Sequence, residues 1–210
     1  MLDIIYLKYE KEYIIKIYNN IPVSKNQCFH LPFMHPKLNI TIIQSKEEIE
    51  SIVTDKNDLI MLSGTSPKSK SLILSDFQTR YGIQTADISS LIHPSAIIGH
   101  GCQIGHGSLI GPGSIIAPYT ILENFVTINR NVSIGHHDHI GAFSSINPGC
   151  NIGGISKIGK NVTIGLGTSV FDNLNIGDYS IIGGGSIVNK DIPAYTLAYG
   201  SPAKAIKKLI

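Results

Sequence analysis

The sequence predicts a small α/β domain followed by a parallel β-helix built of hexapeptides, and two observations carry that prediction. From Ile92 onward every sixth residue is aliphatic, through Ile98, Ile104 and so on to Val188, without a missed step across seventeen hexads. A helix cannot bury a six-residue period on one stripe, and an alternating strand repeats every two residues, so the period reads as short strands winding into a solenoid. Upstream of Ile92 strand-like and helix-like runs alternate, which suggests a small parallel sheet. The implied divisions are an α/β domain over 1–88, the β-helix over 89–200 and a tail over 201–210.

In the first part "LDIIYL" reads as a strand, "EKEYIIKIYNN" as a helix and "LNITIIQ" as a strand. "SKEEIESIV" reads as a helix with Ser45 as its N-cap and Glu47 and Glu48 in its first turn. "DLIMLSG" is a further strand, and "SPKSKSLILSDFQTRYG" a helix ending at Gly82.

In the second part, three hexads close one coil, so residues 18 apart stack at about 4.8 Å and the aliphatic anchors form interior columns. Small or β-branched residues such as Ser108, Thr120 and Cys150 stand two positions before the anchors. Glycine often follows an anchor, where the sequence reading assigns it to a tight corner of positive φ. Seventeen hexads make between five and six coils, each stabilised by its neighbours. The terminal "AKAIKKLI" reads as a short amphipathic helix covering the open end.

Composition narrows the function classes. At 210 residues the chain has ample material for a buried core. Its net charge is +2, and its C-terminal lysines are scattered without aromatic interleaving, which argues against nucleic acid as a partner. Cys28, Cys102 and Cys150 are odd in number and unpaired by spacing, and "MLDIIYLKYEKEY" acquires charges too early for a signal peptide. Both point to a reducing cytoplasm. No apolar run approaches the roughly 18–20 residues of a membrane helix.

Function must lie where the repeat is interrupted. In "VSIGHHDHIGAFSSINPGCNIGG", residues 132–154, three histidines and an aspartate break the isoleucine–glycine pattern. Positions two after an anchor stack as His100, Pro118, His136, Gly154, Asp172 and Lys190, which puts His136 one coil from Gly154 on an outer corner. A histidine there can take a proton from an incoming amine or hydroxyl near neutral pH. Gly154 offers a bare N–H for a developing oxyanion. Asp138 and His137 stand close enough in sequence to orient the ring, and Asn129 precedes the site by one hexad.

The hexads resemble the left-handed β-helix acyltransferases, a resemblance that implies the handedness, a homotrimer and acetyl-coenzyme A in the groove between adjacent prisms. "IGHHDHIGAFSSINPGCNIGG", "LIHPSAIIG" at 91–99 and "DIPAYTLAYGSPAKAIKKL" at 191–209 together resemble the sugar O-/N-acetyltransferases of the NeuD and PglD type. That resemblance makes His136 the general base and expects an acid next to it. Here position 137 is histidine and the acid comes one place later, so the ring's partner is Asp138, a backbone carbonyl or water. Ser145 stands where some members carry a histidine near the thioester. The resemblance further places Gly154 near the thioester carbonyl, Gly184 along the pantetheine arm, and Gly200, Pro202, Ala203 and Lys204 of "YGSPAK" at the adenine end.

Members also carry a Rossmann-like N-terminal domain whose first turn grips a nucleotide with glycines. In this chain the turn is Lys8, Tyr9, Glu10 and Lys11, without glycine, so Lys8 or Lys11 serves as a point charge or the substrate carries no nucleotide. "SGTSPKSK", with Ser63, Gly64, Lys68 and Lys70, is a second candidate for phosphate. The implied activity is N-acetylation of a nucleotide-linked 4-amino-4,6-dideoxysugar for surface glycan (lipopolysaccharide or O-antigen) synthesis, with O-acetylation of a sialic-acid-like sugar as the alternative. A γ-type carbonic anhydrase shares the prism, yet His100 and His136 lie two coils, about 10 Å, apart, and the ligand it needs five residues after His136 is Gly141. No metal is therefore expected. A non-catalytic trimeric scaffold is the remaining reading.

Overall fold

The computed structural model describes residues 13–18, 38–43, 62 and 66–209. Among the upstream expectations, the strand at 2–7, the helix capped by Ser45 and, apart from Leu62, the strand at 58–64 lie outside those residues. The expected strand at 38–44 is present as β2 (Leu38–Ile43). The expected helix at 10–20 is instead a strand, β1 (Tyr13–Tyr18), paired in parallel with β2 from Tyr13↔Leu38 to Tyr18↔Ile43. Tyr-Ile-Ile-Lys-Ile-Tyr is β-branched and aromatic at five of six positions, and its fit to a pleated surface outweighs the helix-favouring residues before it.

Helix α1 (Pro67–Tyr81) ends where the sequence says it should. Ser66 and Ser69 form a reciprocal capping box, proline sits in the first turn, and Gly82 closes the helix in the left-handed conformation at φ 67°. Leu74 of α1 packs with Ile83, Ile88 and Phe125, which attaches the helix to the solenoid.

Seventeen two-residue strands follow, from β3 (Leu91–Ile92) to β19 (Ile187–Val188), and in each the second residue is the predicted anchor. They form a parallel solenoid of three sheets in which each strand away from the two ends pairs with those three before and three after it. The sheet holding β10 (Ser133–Ile134) has six strands, and that holding β11 (His139–Ile140) has five. The third, holding β12 (Ser145–Ile146), has eight, because β20 (Thr196–Gly200) and β21 (Ala203–Lys208) extend it. The anchors from Ile110 to Val188 are buried and make one continuous apolar column.

The tail corrects the expected helix, since "AKAIKK" is strand β21, antiparallel to β20 from Thr196↔Lys208 to Gly200↔Ala203. An exposed solenoid edge offers a row of unpaired amides and carbonyls, and a returning strand satisfies them where a helix would not.

The glycines also act differently from expectation. Left-handed corners fall three residues after an anchor, at Gly101 and Gly149 but equally at Tyr119, His137 and Ile155. The glycine directly after an anchor answers a different need. A Cβ on Gly135 would stand 2.4 Å from the Gly154 amide nitrogen of the next coil, so the corner admits no side chain at that position. Among the described residues no helix is long and apolar enough to cross a membrane.

Candidate active site

The corner that ends β10 assembles the residues singled out in the sequence. Ile134 anchors it, Gly135 permits the close approach of the next coil, His136 is exposed, and His137 takes the left-handed turn at φ 59°. The parallel register of β10 with β13 (Asn151–Ile152), Ser133↔Asn151 and Ile134↔Ile152, stacks His136 on Gly154 as the spacing predicts. A Cβ on Gly154 would lie 3.0 Å from His136 Nε2 and 3.1 Å from its carbonyl oxygen, so that ring nitrogen lies directly over the glycine. The His136 carbonyl accepts from the Ile155 amide at 2.9 Å, while the Gly154 amide donates to nothing among the described residues.

The ring's partner is His137, with the two Nδ1 atoms 3.1 Å apart. Tyr119 lies beside His137 at 5.0 Å between ring centroids and His100 meets Tyr119 edge-on at 5.8 Å, so an aromatic ladder buttresses the partner. Asp138, expected to orient the ring, does not do so. Its position two before an anchor turns it into the prism, where it is 1% exposed and accepts from the Ser156 amide at 2.7 Å. Burial pushes its carboxyl up to about 7, against the main-chain bond from Ser156 that favours the charge.

The remaining predicted residues gather elsewhere. Asn129 and Ser145 belong to the third sheet, Asn129 just after β9 (Thr127–Ile128) and Ser145 in β12. Gly184 lies at the corner leaving that same sheet, and Gly200, Pro202, Ala203 and Lys204 form the β20–β21 turn at its end, with a cis Ser201–Pro202 bond. One prism therefore carries two groups of candidates on different corners. Lys8 lies outside the described residues, and Lys68 is exposed in the first turn of α1.

Two features escaped the sequence reading. Lys70, assigned to a phosphate loop, is 4% exposed on α1 and points inward. Its three ammonium donors meet the Phe125 carbonyl at 3.1 Å, Thr127 Oγ1 at 2.5 Å and Ser145 Oγ at 3.4 Å, leaving none for a phosphate. Desolvation lowers its pKa to about 8. Between pH 8 and the ordinary lysine value the unfolded chain holds a proton that the fold does not, so stability rises with pH across that window. Lys70→Met is expected to abolish this rise, measured as the difference in urea unfolding between the two proteins at pH 8 and pH 10. The second feature is the Glu123–His139 pair at 2.7 Å, in which the other carboxylate oxygen accepts from the Ala142 amide. It borders a groove of about 370 Å³ that also involves Lys157, Lys160 and Asp178, and no repeat-breaking signal beyond the charges themselves marks it. Among the described residues no three His, Cys, Asp or Glu side chains converge on a possible metal position.

Solved structures share this architecture. PerB from Caulobacter crescentus, in complex with CoA and GDP-perosamine, matches with a TM-score of 0.72 at 20% identity over 80% of both chains. The acetyltransferase domain of PglB from Neisseria gonorrhoeae, in complex with acetyl coenzyme A, matches with a TM-score of 0.70 at 23% identity over 80% of this chain and 79% of that one. WeeI from Acinetobacter baumannii matches with a TM-score of 0.71 at 19% identity over 92% of this chain and 100% of that one. At these identities the likeness establishes the fold. No protein-family model and no curated protein matches the sequence.

Proposed function

We propose that the chain is an acetyl-coenzyme A dependent sugar N-acetyltransferase acting on a nucleotide-linked 4-amino-4,6-dideoxysugar, with His136 as general base. The observation that carries this reading is the His136 Nε2 atom lying over a glycine whose amide is free, a proton acceptor and an oxyanion donor at one corner. The fold neighbours support the choice of reaction and substrate class, since PerB is described with CoA and GDP-perosamine and PglB with acetyl coenzyme A. The bare Gly154 amide and the glycines packed around it leave the close backbone approach that a thioester needs.

When bound, the thioester supplies an activated acetyl carbonyl. His136 Nε2 accepts the proton of the attacking amine, which requires its own proton on Nδ1 and makes His137 Nδ1 the acceptor in their bond. The Gly154 N–H receives the charge that develops on the carbonyl oxygen. Of the two residues that the sequence offered to orient the ring, His137 takes the part and Asp138 does not.

The two groups of candidate residues on separate corners favour a site completed between adjacent prisms of a cytoplasmic homotrimer. His136 and Gly154 of one copy would face Gly184 and the β20–β21 turn of the next, while Ser145 stays buried against Lys70 of its own chain. Light scattering on the purified chain is expected to give three times the monomer mass, and a monomer that transfers acetyl groups would contradict this arrangement. The activity itself is tested by thiol release from acetyl-coenzyme A against nucleotide-linked amino sugars and sialic acids. Turnover with a nucleotide-linked 4-amino sugar is expected. Turnover with sialic acids alone would replace the amine acceptor by a hydroxyl, and silence with every sugar would overturn the assignment.

A further inference from the structure

Asp138 occupies an inward position that its stacked neighbours fill with hydroxyls, Thr120 in one adjacent coil and Ser156 in the other. Inward hydroxyls in the middle coils follow one rule, from which Ser180 and Ser186 near the C-terminal end depart by donating to the Pro193 and Gly183 carbonyls. The O–H donates to the carbonyl fifteen residues on, as Ser114 does to Asn129, Ser144 to Gly159 and Ser156 to Phe171. In several the oxygen also accepts from the amide eighteen residues on, as Ser144 does from Val162 and Ser156 from Leu174.

Asp138 keeps the accepting half of the rule, through Oδ1 and the Ser156 amide eighteen residues on. Its Oδ2 is buried with no partner among the described residues. The carbonyl fifteen residues on is that of Gly153, which receives no bond among the described residues. A buried acceptor without a donor and a carbonyl without a donor are each costly, and one proton satisfies both.

We propose that Asp138 is held as a neutral carboxylic acid whose Oδ2–H donates to the Gly153 carbonyl, fixing the Gly153–Gly154 peptide and aiming the Gly154 N–H at the His136 corner. In a trans peptide the C=O and N–H point to opposite sides, so a bond drawn inward on the carbonyl directs the amide outward. Asp138 is then a positioning residue for the oxyanion donor. Its effect on catalysis rests on the proposed transferase reading; its protonation does not.

The surroundings supply no charge to hold a carboxylate. On the coils packed against Asp138 the charged and titratable groups are Tyr119 and Glu123 on one side, Arg130, His136, His137 and His139 on its own coil, and Lys157 and Lys160 on the other, all partly or fully exposed on the outer surface. Within the prism stand Cys102, half-buried, and Cys150, whose thiol burial also pushes up. With the carboxyl raised to about 7, the fold holds a proton that the unfolded chain has released above the ordinary aspartate value of 3.8. Stability contributed by this group is therefore full below that ordinary value and is lost as pH rises through about 7.

The test combines the side-chain carboxyl carbon resonance of Asp138, assigned by its loss in Asp138→Asn, with the pH dependence of acetyl transfer. The resonance is expected to titrate near pH 7. Asp138→Asn, whose amide can donate to Gly153 while its oxygen accepts from Ser156, is expected to keep kcat within about twofold at pH 6 and to lose the decline that the wild type shows above pH 7. Asp138→Val, the residue type at other inward positions such as Val132, is expected to lower kcat about tenfold with the KM for acetyl-coenzyme A unchanged, a loosened donor costing less than the 10²–10³ of a removed one. Titration near pH 4, or an unchanged alkaline decline in Asp138→Asn, overturns the proposal. If the wild type transfers no acetyl group, the transferase reading fails, and the carboxyl titration alone decides whether Asp138 is the neutral acid.

Discussion

Gly154→Ala is expected to lower kcat for acetyl transfer about 10²-fold while the fold survives, the scale of losing one oxyanion donor. The added Cβ would meet His136 Nε2 at 3.0 Å, Cε1 at 3.1 Å and the His136 carbonyl oxygen at 3.1 Å. The ring can swing away, since it is exposed, but the nitrogen proposed to take the proton then leaves its place over the amide, and the methyl group shields that amide from the proposed acyl oxygen. Steady-state kinetics with melting curves check this. A variant with full kcat would show that neither the ring position nor the Gly154 amide contributes to transfer.

Ile140→Ala is expected to cost about 2–5 kcal/mol of stability, the range for truncating a large aliphatic side chain in a core that relaxes only partly. Ile140 is fully buried, stacked between Leu122 and Ile158 of the adjacent coils. Each coil of a solenoid is stabilised by its neighbours alone, so a cavity in the middle weakens two interfaces at once. Urea unfolding of Ile140→Ala beside Ile97→Ala gives an internal control, since Ile97 is 61% exposed and its truncation is expected to cost under about 0.5 kcal/mol. Equal losses at the two positions would contradict the assignment of the anchors to the core.

The solenoid was legible because its period is a geometric necessity: a coil of three equal sides must return an inward residue every six positions, and each anchor from Ile92 to Val188 is the second residue of a strand. The stacking of His136 on Gly154 followed from the same arithmetic. Less legible was anything decided by which way a side chain turns. Asp138 reads as a neighbour of the histidines along the chain, yet its phase in the hexad is that of Ser156 and Thr120, and phase, not proximity, sets its direction. Lys70 looked like a phosphate ligand because its destination on Phe125, Thr127 and Ser145 is a contact across more than fifty residues of sequence, which no local pattern encodes. The end strand β21 was misread for a related reason, since an open edge selects strand over the weak helical preference of a short lysine-rich segment.

The central claim is that transfer takes place at the His136–Gly154 corner with His136 as the proton acceptor. Its most direct measurement is kcat for thiol release from acetyl-coenzyme A with the accepted sugar, for the wild type beside His136→Ala at equal folded fraction. Loss of a general base predicts a fall of about 10²-fold. An unchanged kcat across the pH range would contradict the account and move the chemistry away from this corner.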